Sequence, residues 1–488
     1  MKFRVFILTG LLVGVASLAV AQGFLYESYY NWNFLGSGAR ARGMGGAFLA
    51  VSDDGSAATW NPAGLPYNEG VQTSMNWNLF HATVKNNPTG FGEASGDLGN
   101  IGFWSFVAPM TLREHEFVLG VSYYRLQDIF YEDGIAAEFT ITEQAIEVEQ
   151  NLDSRVRSVG SLAAINLLGL GTEITSNLTV GGGISLALGD RKDETAHYGY
   201  GEPYEYQGVT FVDSLILKMT ADVDYSGIFG NLGCMYRTDK WSAAITYTSP
   251  WTLTQELDYG TFLQNVVHDI HYDATEALFI TERKIKVPYS IGLGGSYRVN
   301  DKLLVALDYQ YRKFKGGYIS TQQTLTPIED EHEGITNPVS RFTDLPTGWY
   351  NLHQIRIGAE YVVESDYGKI PLRVGFHNVP MVAGNTSGTM NTLVQYYNIP
   401  VFDIMVEPNN SEDQNMGIGF SFGAGIHWSQ VHLDFSYEYE NSSTADSGEY
   451  WWTYSSNGHD FSDFRLGDYD REYKLKQSRV LLNFTGYF

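Results

Sequence analysis

Residues 36–65 read GSGARARGMGGAFLAVSDDGSAATWNPAGL. Glycine and alanine crowd this stretch, so its backbone can press against another backbone at little steric cost. Asp53-Asp54 and Asn61-Pro62 supply turn chemistry, not the alternation of a strand or the spacing of a long helix. Such a segment must be held by something larger. The rest of the chain offers a holder: a long series of short alternating segments that closes on Phe488.

Residues 1–21 read as a secretory signal peptide. Lys2 and Arg4 open it, residues 6–15 are apolar, and Ala19-Val20-Ala21 fits a cleavage site before Gln22. That apolar run is too short for a spanning helix, which needs ~20 residues. No other segment approaches one, so a membrane form of this chain is expected to be a barrel. Aromatic residues make up 14% of the sequence, with 33 Tyr and 10 Trp, which suits the aromatic girdles of outer-membrane strands. The formal charge of -25 argues against nucleic acid, because phosphate binding needs a basic face. Cys234 is the one cysteine, so no intramolecular disulfide can form, and its apolar setting suits a packing role.

Alternation places apolar residues toward lipid and mixed residues toward a lumen. After Lys284 the outward face is read as Ile285, Val287, Tyr289, Ile291, Leu293 and Tyr297, with Lys286, Ser290, Gly292, Gly294, Ser296 and Arg298 inward. After Lys302, Leu303, Val305, Leu307, Tyr309 and Tyr311 face outward, and Asp308, Gln310 and Arg312 inward. After Gln430, Val431, Leu433, Phe435, Tyr437 and Tyr439 oppose His432, Asp434, Ser436, Glu438 and Glu440. Fourteen such segments start near Val71, Asn100, Glu114, Arg155, Asn177, Ile216, Lys240, Lys284, Lys302, Leu352, Lys369, Gln414, Gln430 and Lys474. The number is even, as a single-chain bacterial barrel requires.

The connections alternate in length. Short turns fall at 111–113, 238–239, 300–301, 366–368 and 429–430, and the connection at 169–176 is intermediate. Long polar loops are expected at 126–154, 191–215, 257–283, 316–351, 381–413 and 441–473. Short turns belong to the periplasm and long loops to the exterior. The first long loop carries eight acidic residues and no Lys or Arg, which reads as a solvated segment. The expected fold is all-β: a 14-stranded antiparallel transmembrane β-barrel over residues 71–488, with residues 22–70 as a hatch, or plug, inside the lumen. In the last strand Val480, Leu482, Phe484 and Phe488 share a face. A terminal Phe on such a strand resembles the signal read by the outer-membrane assembly machinery, with Phe484 and Phe488 as its anchors.

The opening segment resembles the N-terminal hatch of the FadL/TodX family of outer-membrane transport proteins for hydrophobic compounds. The residues that carry the resemblance are Gly38, Arg40, the Gly43-Met44-Gly45-Gly46-Ala47 run, Asp53-Asp54 and Asn61-Pro62-Ala63. PorV-type barrels, which serve protein secretion, open in a very similar way. The FadL/TodX resemblance implies a monomer in the bacterial outer membrane, in contact with its lipid, that takes up a hydrophobic small-molecule ligand such as a long-chain fatty acid. It further implies a pocket beside the N-terminal segment and sideways release through hatch movement and a kinked wall strand. Phe24, Tyr26, Tyr29, Tyr30, Trp32 and Phe34 are candidates to line that pocket, and Gly120 is a candidate kink point.

Arg40 and Arg42 are expected to pair with inward acids such as Asp308 and Glu360. Arg298, Arg312, Arg356 and Arg373 are expected to point inward as well. Either these wall charges satisfy one another, or an arginine receives the carboxylate of an amphiphile, which guanidinium matches bidentately. Two other functions remain open: a PorV-like component of a secretion system, and a general pore for polar solutes. An enzyme is not expected. The chain has no HExxH or GxSxG, its histidines are scattered, and no cofactor or metal ligand set stands out. The glycine clusters at 181–183 and 417–425 lie in strand-like segments without a βαβ pattern, so they are not nucleotide loops.

Overall fold

Two-faced alternation gives each segment one side for lipid and one for the lumen, and the fourteen segments pair in chain order. The computed structural model describes residues 32–34, 36–68, 70–87, 92–143, 146–201, 204–206, 209–211, 214–267, 270–272, 278–325, 339–395, 403–406, 409–455 and 461–488. Strands β1 to β6 are Gln72–Asn87, Gly92–Leu112, His115–Glu143, Ile146–Thr175, Leu178–Gly201 and Ser214–Arg237. The next four are each built from two pieces. They are β7 (Trp241–Thr248 and Trp251–Val267), β8 (Leu278–Val287 and Ser290–Arg298), β9 (Leu303–Arg312 and Tyr318–Leu325) and β10 (Val339–Pro346 and Leu352–Ser365). Strands β11 to β14 are Gly368–Gln395, Asn409–His427, Val431–Ser455 and Phe461–Tyr487. Neighbours in this order pair antiparallel, and β1 pairs with β14 from Gln72↔Tyr487 to Asn87↔Glu472. That last ladder closes the sheet and removes its edges.

All fourteen expected segments are strands of this barrel, and the turn after β4 is a tight one at Ser176-Asn177. The outward face is a membrane surface: Trp77, Trp104, Ile228, Leu232, Phe420, Phe422 and Leu482 stand exposed on it. Aromatic pairs also stand on the wall, Tyr236–Trp241 near one turn and Tyr247–Tyr289 farther along.

Two expectations need correction. Much of the polar stretches read as long loops is ladder instead. Strands β3 and β4 stay paired out to Glu143↔Ile146, and β13 and β14 out to Ser455↔Phe461. Beyond the membrane both faces of a strand are wet, so apolar alternation vanishes while the backbone still pairs. The second correction concerns Ile285 and Val287, which are buried in the lumen and not turned to lipid. Inward positions on β8 are even-numbered from Ser290 and odd-numbered up to Val287. Pro288 cannot donate to a ladder, and the break at 288–289 lets the strand change face. The three neighbouring strands change face at 249–250, 313–317 and 347–351. The faces expected for β9 and β13 are as observed: Asp308, Arg312, Asp434, Glu438 and Glu440 are all buried.

Inside the barrel lies the N-terminal segment. It folds into two short helices, α1 (Ala39–Gly43) and α2 (Ala57–Trp60), and a 3-10 turn at Pro62–Tyr67. Asn61 caps the 3-10 turn by accepting from the Ala63 N–H, and Pro62 takes its first position, where a missing N–H costs nothing.

Candidate functional site

Glycine on the inner wall makes the seat for the N-terminal segment. A Cβ on Gly375 would lie 1.9 Å from the Gly45 nitrogen, and one on Gly358 would lie 2.3 Å from the Met44 oxygen. Gly181 and Gly171 meet the Pro62 carbonyl in the same way, and Gly233 meets Asn61. Gly171, Gly181, Gly358 and Gly375 are therefore sites of backbone-to-backbone approach. On the segment's side, Gly45 and Gly46 have φ of 66° and 76°, a turn that a side chain would strain.

Polar groups then lock the segment. The N–H groups of Phe48 and Leu49 both donate to Asp308 Oδ2, at 2.7 and 2.9 Å. Asn231 Nδ2 donates to the Ala58 carbonyl at 3.0 Å, and the Gly45 N–H donates to Ser421 Oγ at 2.9 Å. Arg40 grips Glu360 with two bonds of 2.9 Å and also meets Asp53. Arg237 reaches Asp53 from the wall at 2.9 Å. Burial alone would raise the Asp53 carboxyl, but Arg40 and Arg237 hold it below the ordinary carboxylate range. Arg42 pairs with Glu438. The expected Arg40–Glu360 pair is thus present. Asp308 takes backbone N–H groups in place of an arginine, and Arg42 goes to an acid the sequence had placed inward without assigning a partner. Asp54 accepts from the Ser56 N–H and hydroxyl and shapes the turn before α2.

The wall arginines divide. Arg373 is held by Glu360 at 2.7 Å and by Asp434 at 2.6 Å. Arg356 bonds Gln310 at 3.0 Å and lies 5.5 Å from the Trp60 ring centre. Arg298 stands exposed at the end of β8 and does not join the lumen. Arg312 donates to the Trp32 carbonyl at 2.9 Å and stacks over Phe34 at 5.0 Å. Around it lies an apolar belt that includes Trp32, Trp251, Phe314, Trp349, Ile285 and Val287. Trp32 lies 5.4 Å from Trp349 and 5.6 Å from Phe314, ring centre to ring centre. Of the aromatic run singled out in the sequence, Trp32 and Phe34 join this belt, while Phe24, Tyr26, Tyr29 and Tyr30 fall outside the described residues, as does the signal segment.

The wall itself parts on another side. Strands β2 and β3 pair from Leu112↔His115 up to Phe103↔Tyr124, and there their ladder ends. β2 goes on pairing with β1 as far as Asn86↔Gly92, and β3 goes on with β4. The stretch 92–102 of β2 therefore runs beside β3 without ladder bonds to it. Two register shifts in β3, at Gly120/Ser122 and Arg125/Gln127, and one in β2 at Gly102 flank the point where the ladder ends, and each bulge bends its strand. One of these register shifts falls at Gly120, the residue singled out as a candidate kink point.

Residues 126–132 are buried one after another instead of alternately, so this part of β3 has turned into the lumen. The Phe130 ring then covers the gap. It lies against Gly96 of β2, where a Cβ would come within 2.2 Å of a ring carbon. It also packs with Phe80, Val84, Leu98 and Leu475. Behind it is a cavity of about 40 Å³, apolar at Val84, Ile129 and Met381 and polar at Gln127, Asp128 and Gln477. A space that size holds a few waters.

A closed fourteen-stranded wall, a lumen occupied by the N-terminal segment and a kinked third strand together define an architecture. The fold is of the FadL/TodX type. A Pseudomonas aeruginosa FadL homologue superposes with a TM-score of 0.53 at 14% identity, over 94% of this chain and 100% of that one. The Pseudomonas putida toluene transporter TodX gives 0.50 at 15% identity, with 94% and 100% covered. A TodX deletion mutant, described as a monoaromatic hydrocarbon channel, gives 0.52 at 14% identity over the same shares. No protein-family model and no curated protein matches the sequence. Placement in the outer membrane follows from this FadL/TodX-type wall and its apolar exterior.

Proposed function

We infer that the protein lets hydrophobic and amphiphilic molecules, such as long-chain fatty acids, cross the outer membrane passively. They leave the lumen between β2 and β3. The observation that carries this reading is the ladder that stops at Phe103↔Tyr124, part-way along the wall. Backbone groups facing lipid without partners are costly, so a barrel is expected to keep such a gap only where something passes. Phe130 and Leu98 give the gap an apolar lining, which suits an apolar passenger. The N-terminal segment serves as the hatch that keeps the lumen from conducting, and Phe484 and Phe488 serve assembly.

Arg312 is the arginine best suited to a carboxylate. It is buried, rests against the aromatic belt, and makes no ion pair among the described residues, whereas Arg373 is committed to two carboxylates. Arg312→Gln is expected to slow uptake of a long-chain fatty acid by about tenfold or more, the size of a lost hydrogen bond to a charged group. Uptake of a neutral hydrophobe should stay unchanged. Equal slowing of both would remove Arg312 from this role.

Native mass spectrometry of the barrel extracted in mild detergent tests the wider reading. A bound long-chain hydrophobe supports it. An empty barrel carrying a protein partner points to a secretion component, and steady ion conductance in planar bilayers points to a polar pore.

A further inference from the structure

Arg479, on β14, stands between the inward bend of β3 and Glu438, the carboxylate that receives Arg42 from the N-terminal segment. Its Nε reaches Asp128 Oδ2 at 3.5 Å. Its Nη1 reaches Glu438 at 3.5 Å and Glu440 at 3.2 Å. The guanidinium also lies 4.8 Å from the ring centre of Phe80, which packs against Phe130 over the side gap. Asp128 is the acid that anchors the bend, with Asn78 of β1 donating to it at 3.1 Å. Arg479 and these three acids are buried, where charge interactions are weakly screened and one cation is shared among several acids.

We propose that Arg479 is a positioning residue that couples the seat of the N-terminal segment to the bend of β3. While Arg42 sits on Glu438, Arg479 is left to hold Asp128 inward and the β2–β3 gap persists. When Arg42 withdraws, Glu438 loses its nearer cation and draws Arg479 toward itself. Asp128 then keeps only the Asn78 amide on the wall and Arg125 of its own strand, and the weakened hold lets β3 swing back toward the 92–102 stretch of β2. The lumen and the side gap would therefore not stand open together. The purpose of this device rests on the transport reading, but its test needs no ligand.

Hydrogen–deuterium exchange on the purified full-length barrel provides that test. Arg42→Ala is expected to change exchange over 126–132 by about tenfold, a coupling of ordinary size, and to slow it over 92–102 as β2 gains a partner. Arg40→Ala, which frees the same segment from Glu360, should raise exchange near 36–54 and leave 126–132 at the parent rate. Arg479→Lys keeps the charge but loses the planar fork that spans Asp128 and Glu438 from different nitrogens. It should reproduce the Arg42→Ala pattern at 126–132 and leave the segment itself protected. The proposal is overturned if Arg42→Ala loosens only the segment, or if Arg40→Ala alters the bend to the same extent. Either result leaves the transport reading standing.

Discussion

Replacing Gly375 by valine will drive the N-terminal segment off β11 and turn a poorly conducting barrel into a leaky one. The new Cβ would lie 1.9 Å from the Gly45 nitrogen and 2.3 Å from the Met44 carbonyl carbon. Both are backbone atoms, so no flexible side chain can yield. Gly45 cannot easily refold its turn, because its φ of 66° is already the left-handed solution. Overpacking of this kind costs about 1–3 kcal/mol or more, and here the segment gives way before the closed sheet does. The expected readout is steady conductance in planar bilayers, with the barrel still folded. Gly295→Val is the control. The nearest atom to its Cβ would be the Leu307 carbonyl oxygen, at 4.0 Å, so it should change nothing. Parent-like conductance of Gly375→Val would mean that the segment does not seal the lumen.

Truncating Phe130 to alanine should speed hydrophobe uptake by about tenfold in proteoliposomes. Its ring rests on Gly96 and fills the place where β2 and β3 have no ladder. A tenfold rise asks for only ~1.4 kcal/mol of barrier, less than the ~3–5 kcal/mol that a buried Phe→Ala change commonly costs. Uptake of a polar solute of similar size should not rise, since the passage opens into lipid. Slower hydrophobe uptake, or equal gains for both solutes, would remove Phe130 from the gate.

The residues explain which of these features the sequence carried. Fourteen strands were legible because the lipid side of a strand must stay apolar, as Val431, Leu433 and Phe435 do on β13. The seat of the segment was half legible. Gly43, Gly45 and Gly46 announced a close approach, and Gly358 and Gly375 on the inner wall answer it. Nothing in the glycine pattern named the partner strands. The change of face in β7 to β10 escaped the alternation because both faces of Ile285 and Val287 are apolar surroundings, lipid on one side and the aromatic belt on the other. Pro288 and Pro250 were the available signals.

The side gap escaped for a different reason. A lost ladder is a property of two strands: β2 alternates normally over 93–100, and its own irregularity is one extra residue, Gly102, where the ladder ends. Gly120 hinted at the bend, but the acid that holds it, Asp128, meets Arg479 across 351 residues of sequence. The network of Arg42, Glu438, Arg479 and Asp128 is visible only once the barrel is closed.

Photo-crosslinking with a diazirine-bearing long-chain fatty acid, during uptake by intact outer membranes, tests sideways exit most directly. If ligands leave between β2 and β3, adducts will map to 92–102 and 126–132, with Phe130 among them. Adducts confined to the inner faces of β5 to β8 beside the N-terminal segment, with none on β2 or β3, would contradict lateral exit and place the path straight through the lumen.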